Sequence, residues 1–344
     1  MTLNIFKNDA FSLTSLTASI NEMPFTPGQA GALGIFDEGG IYTDSLMIEN
    51  EQGSLVLIPS TPSGSSPTYI VRDPRQVRTF YTARRALADK IYAKEIQNKR
   101  QFGTENQLVT AQSEVNKRAV KMLKSHDATV EYGRIGAIRG VVYDADGTTV
   151  MWNLFNEFGI SQTQVDFVLG TTTTDILTKC REVRENIQDA LGAQGTDDIT
   201  VTVFCGKDWY DKFIAHTAVK EAYKYYQTVQ SQLNPLQQDL RYKGFTFGGL
   251  TFVVYRGVVK GPSGLVTFVP ADKAYAFATN IPELFITRYS PADYMETANT
   301  EGLPRYMKMA FDPEWNRYVA VETQSNPISL CTRPASLIEL ITSN

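Results

Sequence analysis

The residues with the most chemical capacity are few: His126 and His216, Cys180, Cys205 and Cys331, and the aspartate pairs Asp144/Asp146 and Asp197/Asp198. Neither histidine has a second one at metal-ligand spacing, which argues against a His-based zinc site. His126, in "LKSHDATV", reads as the last turn of a long helix, where an imidazolium meets the negative end of the helix dipole. His216 follows an aromatic helix and reads as a packed or surface residue. The three cysteines are widely spaced and form no C-x-x-C, a pattern that fits a reducing compartment better than a disulfide framework. Each aspartate pair could hold a cation or act as acid and base. Asp144 and Asp146, however, fall in "DADG", where aspartate is common for backbone reasons alone. There is no G-x-G-x-x-G between strand and helix, no Walker spacing in "FCGKDWYDK" and no G-x-S-x-G. No catalytic residue, cofactor or metal is therefore expected, and an enzyme of unknown specificity is the minority reading.

Composition bounds the rest. The 344 residues are 42% hydrophobic and 20% charged, as in a folded soluble protein, and exceed what one hydrophobic core usually organises. The net charge of −4 is too small to announce a nucleic-acid binder. The start "MTLNIFKNDAFSLTSL" lacks a signal-peptide pattern, no apolar run reaches membrane-spanning length, and no N-x-[ST] sequon occurs. These features agree with synthesis in a cytoplasm and with no membrane partner.

The elements that would carry any site read as α+β. "MPFTPGQAGALGIFDEGG" (Met23 to Gly40) is rich in glycine and proline yet carries Phe25, Leu33, Ile35 and Phe36, which suits an extended arm lying on a neighbouring surface. Ile41 to Asp73 reads as two or three short strands around the polar tip "STPSGSSP". Arg84 to Lys124 reads as helical in two pieces: an earlier one bearing Leu87, Ile91 and Ile96, and a longer one bearing Leu108, Ala111, Val115, Ala119, Met122 and Leu123, with Thr104 or Asn106 as its cap. This stretch holds ten Lys/Arg against four Asp/Glu. "GVVYDADGTTVMWNLF" has the form of a hairpin, and Ile176 to Leu191 that of an amphipathic helix between Asp175 and Gly192. "ITVTVFCG" reads as a buried strand, "KDWYDKFIAHTAVKEAYKYY" as helix, and the remainder as strands down to "NRYVAVETQSNPISLCTRPASLIEL" near the C-terminus.

The unusual features thus serve association: an apolar arm, a protruding hairpin and extended C-terminal strands. These are liabilities in a monomer and assets where another chain covers them. The terminal "ETQSNPISLCTRPASLIEL" resembles the end of the lambda-like tailed-phage major capsid proteins, the phage major capsid protein E family. "VVYDADGTTVMWNLFNEFGI", "GGLTFVVYRGVV" and the helical segment from Glu114 to Leu123 resemble its corresponding hairpin, strand and helix in the same order, from about Ile41 to the C-terminus.

The resemblance implies the HK97-like major capsid fold. On this reading residues 1–40 form an N-terminal arm and 41–83 an extended E-loop β-hairpin. Residues 84–160 form a peripheral domain with a long spine helix, 161–284 an axial domain, and 285–344 strands returning to the peripheral domain plus a C-terminal strand. It further implies hexamers and pentamers in an icosahedral shell, assembled in a host bacterial cytoplasm around double-stranded DNA. Separate scaffolding, portal and decoration proteins would be partners, since no long helical scaffolding segment precedes the arm. A non-viral nanocompartment of the same fold (encapsulin-like) is the alternative. The apolar run Leu55, Val56, Leu57 and Ile58 is the candidate assembly element of the E-loop. Lys117, Arg118, Lys121 and Lys124 form a candidate basic stripe facing DNA.

Overall fold

A computed structural model describes residues 13–22, 28–50, 76–96, 111–192, 199–223, 244–315 and 317–344. Its axis is a 29-residue helix, α4 (Ala111–Arg139). Three helices precede it: α1 (Leu13–Glu22), α2 (Gln29–Ala32) and α3 (Ala93–Ile96). After it come α5 (Leu154–Phe158), α6 (Ile176–Leu191) and α7 (Lys207–Ala215), and residues 217–223 are also helical.

Against the first half of α4 lies a three-stranded antiparallel sheet. Its strands are β15 (Tyr306–Phe311), β16 (Tyr318–Ser325) and, at the edge, β4 (Arg85–Tyr92). Val115, Ala119, Met122 and Leu123 of the helix bury themselves against Ile91, Met307 and Val321 of the sheet and Ile20 of α1. Arg85–Tyr92 is therefore a strand, and of the expected first helical piece Ala93–Ile96 is helical. Leu87 and Ile91 stand four apart, a spacing that satisfies both the helical and the strand period. Pairing with β16, from Tyr92↔Tyr318 to Arg85↔Ser325, decides between them.

The second half of α4 adjoins the main core. There a six-stranded mixed sheet runs in the order β7 (Thr163–Asp166), β18 (Ile338–Ile341), β13 (Ala274–Ala278), β8 (Val201–Cys205), β10 (Leu250–Val254), β9 (Phe245–Phe247). Strands β8 and β13 are buried at every position, matching the β-forming, largely apolar run "VTVFC". The last strand, β18, lies inside this sheet, between β7 and β13. Helix α6 begins where Asp175 accepts from the Leu177 and Thr178 amides, and ends at Gly192 with φ 57°, as its sequence signals require. A third sheet joins β1 (Phe36–Gly40), β14 (Phe285–Tyr289) and β17 (Pro327–Cys331).

Three two-stranded ribbons complete the described residues: β2 (Ser45–Asn50) with β3 (Gln76–Tyr81), β5 (Val141–Tyr143) with β6 (Val150–Asn153), and β11 (Val258–Gly261) with β12 (Gly264–Thr267). The first is the base of the expected E-loop. Its further strands, the tip and the Leu55–Ile58 run lie outside the described residues, as do Thr104, Asn106 and Asp197/Asp198.

The N-terminal segment is not a free extended arm where it is described. Helix α1 lies along the edge of β15. Asn21 Nδ2 donates to the Arg305 carbonyl at 3.0 Å, and the Met307 amide donates to Thr17 Oγ1 at 3.4 Å. Side chains of α1 thereby occupy backbone groups that an open sheet edge would present to another chain. Strand β1 then pairs in parallel with β14 from Phe36↔Phe285 to Gly40↔Tyr289.

Candidate assembly surfaces

The spine helix does not end near His126. Its buried face continues through His126, Asp127, Glu131 and Arg134, polar residues standing where the apolar period called for apolar ones. Each is held by a different part of the chain. His126 Nε2 shares a 3.0 Å hydrogen bond with Thr323 Oγ1 of β16, and burial holds its pKa down at about 4, so the imidazole is neutral rather than a cation at a helix end. Asp127 accepts from Arg305 Nη2 at 2.6 Å, a buried ion pair. Glu131 accepts the Ala30 and Gly31 amides at 2.7 and 3.0 Å and the Tyr255 hydroxyl at 2.8 Å. A Cβ at Gly28 would stand 2.2 Å from that carboxyl, so glycine is what lets the arm approach it. Arg134 pairs with Glu38 of β1, which also accepts the Tyr289 hydroxyl. The row fastens the N-terminal segment, the three-stranded β15–β16–β4 sheet and the main core to one helix. Its chemistry is cohesive: every charge named here has a counter-charge or donors.

Several other polar groups are likewise occupied. Asp146 accepts from the amides and hydroxyls of Thr148 and Thr149, which hold its carboxyl well below the usual range, so it shapes a turn. His216 bonds the Thr171 carbonyl and accepts the Ala218 amide. Glu339 accepts from Gln164, Lys273 and Tyr275 inside the six-stranded sheet, a polar knot that no sequence motif announced. The three cysteines are free and buried, and burial pushes the Cys180 and Cys331 thiols up to about 12. Among the described residues no group of three His, Cys, Asp or Glu could hold a metal ion, and no helix is long and apolar enough to cross a membrane.

What remains unsatisfied is surface. In the β2–β3 ribbon, Leu46 and Ile48 pack on the main core with Phe80, whose ring meets Trp152 at 5.4 Å and Phe158 at 6.3 Å. The opposite face carries Met47, Val77 and Tyr81, exposed by 65, 52 and 59%. On α4, Lys117, Lys121 and Lys124 are exposed on the side away from the core. Arg118 differs from them: Asp89 at 2.7 Å, Glu95 and Glu114 surround its guanidinium, so its charge is committed within the subunit.

This architecture is shared with solved phage structures. A prophage protein of Escherichia coli CFT073 assigned as a capsid protein matches with a TM-score of 0.58 at 14% identity, covering 96% of this chain and 99% of the other. The capsid structure of the cyanophage P-SCSP1u matches with a TM-score of 0.50 at 12% identity, covering 90% and 87%. A long helix carrying a three-stranded sheet, a mixed core sheet and a two-stranded ribbon is the HK97-like fold. Among curated proteins, the major capsid protein of Pseudomonas phage KPP10 is 29% identical over 96% of both chains, and that of Salmonella phage Felix O1 is 26% identical over 96% of both. The chain belongs to the phage major capsid protein E family, whose model matches residues 12–342, and its function is that of a tailed-phage head subunit.

Proposed function

We propose that this chain builds its shell by covering the free face of the β2–β3 ribbon, and the segment 51–75 beyond it, with a neighbouring copy. The two-sided character of the ribbon carries this reading: one face is closed by its own body, and the other leaves Met47, Val77 and Tyr81 to solvent. The Leu55–Ile58 run extends that apolar content past the described strands. Covering one such side chain contributes about 1.5–3 kcal/mol, repeated at each equivalent interface. Hexamers and pentamers closing into an icosahedral head around double-stranded DNA follow as the assembled form, produced in the bacterial cytoplasm, with scaffolding, portal and decoration proteins as further partners. The role is structural and not catalytic.

Replacing Leu55 and Leu57, or Met47 and Val77, with serine should leave the circular dichroism and melting temperature of the subunit nearly unchanged and abolish shells in electron micrographs. A large loss of subunit stability would place these residues in the subunit's own core and sink the reading.

A further inference from the structure

One buried cation stands outside the pairing seen along α4. The Arg85 side chain, at the start of β4, is only 15% exposed, and burial lowers its pKa from the ordinary value. Its acceptors are poor. Nη2 meets the thioether of Met151 at 3.4 Å, and Nη1 stands 3.8 Å from a carboxylate oxygen of the exposed Asp144. Nε is buried and has no acceptor among the described residues. His126 registers the same charge, since Arg85 is one of two cations that disfavour its protonation. The other, Arg305, is met by the buried Asp127. A guanidinium answered only by a sulfur and a distant carboxylate carries a desolvation cost that an added acceptor would offset.

Arg85 lines a cleft of about 350 Å³, counting the part open to solvent, between β3, β4, α4, the β5–β6 hairpin and β17. It is the one charged residue among those described that line the cleft, whose enclosed part admits roughly one group the size of a water molecule. Two further residues shape this space. Ser329 shares a 3.0 Å bond with Thr287 in which Thr287 can be the donor, leaving the Ser329 hydrogen for the cleft. Gly133 of α4 also lines it, and a Cβ there would meet nothing closer than Ser329 Oγ at 3.9 Å. Packing therefore does not demand glycine, although glycine inside a helix is less stable than alanine. Its bare backbone keeps the cleft open. We propose that the cleft binds one small monovalent anion of halide size, held by the Arg85 guanidinium with the Ser329 hydroxyl beside it. Phosphate and sulfate are too large for the enclosed space. Tyr81, at the root of the β2–β3 ribbon, borders the same cleft, so an anion there fastens that root to α4 whatever covers the ribbon itself.

Chloride-35 magnetic resonance on the full-length subunit tests this, because chloride exchanging with a protein site broadens the line of the free ion. Chloride is the probe, and gluconate, too large for the cleft, holds the ionic strength constant. The wild-type subunit should broaden the chloride line in proportion to its concentration, and added bromide should reverse the broadening. Arg85→Gln should abolish it. Gly133→Ala should weaken chloride binding by about tenfold while the subunit stays folded, since alanine is the better helix former. A wild-type subunit that leaves the line sharp would mean that water meets the guanidinium, and overturns the site. Broadening of wild-type size in either variant places the chloride elsewhere and overturns it as well. Should Arg85→Gln fail to fold, Gly133→Ala decides alone.

Discussion

At the scale of single residues, His126 makes the stability of the subunit depend on pH. Its pKa falls from an ordinary 6.5 to about 4 because burial disfavours the imidazolium and Arg305 and Arg85 repel it, outweighing the bond from Thr323. Between those values the unfolded chain binds a proton that the folded chain does not. The stabilisation is therefore complete above about pH 6.5, declines as pH falls towards 4, and changes no further below that. The full change is on the order of 3 kcal/mol. Chemical denaturation at pH 7.5 and pH 4 should show it, and His126→Gln, which keeps a donor for Thr323, should remove that part of the pH dependence. An unchanged pH profile in the variant would mean that other groups control acid sensitivity.

Among the elements, β18 is the one whose loss should matter most for its length. It lies between β7, parallel, and β13, antiparallel, with Ile338 and Leu340 buried and Glu339 tied to both neighbours. Removing it would open two ladders in the middle of a sheet and leave the buried Tyr275 hydroxyl without its acceptor, and a buried unsatisfied group costs about 1–3 kcal/mol. A chain ending at Ser336 should accumulate as insoluble protein, or as a soluble form lacking near-ultraviolet circular dichroism. A truncated subunit that melts within a few degrees of the full chain would show that β18 is added after folding. The same sheet explains why the C-terminal residues are ordered: the chain finishes as an interior strand, not as a fringe.

On the scale of the whole molecule, Lys117, Lys121 and Lys124 share one exposed stripe of α4, opposite the face that buries Val115, Ala119 and Met122. If that stripe lines the interior of the head, its contribution is sequence-independent neutralisation of phosphate, weakened by salt. Changing the three lysines to glutamine should leave subunit folding and shell formation intact and make packaged heads lose DNA at lower ionic strength. Failure of assembly in the variant would identify the stripe as a contact between subunits instead. Arg118 is left out of the substitution because its partners Asp89, Glu95 and Glu114 join β4, α3 and α4.

The sequence by itself determined the elements whose signals are local. The α6 helix follows from an apolar stripe between Asp175 and Gly192, the β5–β6 hairpin from "DADG", and the buried β8 strand from an unbroken run of β-formers. The order of its motifs was enough to indicate an HK97-like capsid subunit. Only the tertiary structure decided what depends on distant partners. Leu87 and Ile91 fit two periods until β16 pairs with them, and the spine helix looked finished at Lys124 because its next inward residues are polar. His126, Asp127, Glu131 and Arg134 can be buried only because Thr323, Arg305, the α2 amides and Glu38 meet them, from segments 96 to 197 positions away, and a buried polar group is stable only once its partner is in place.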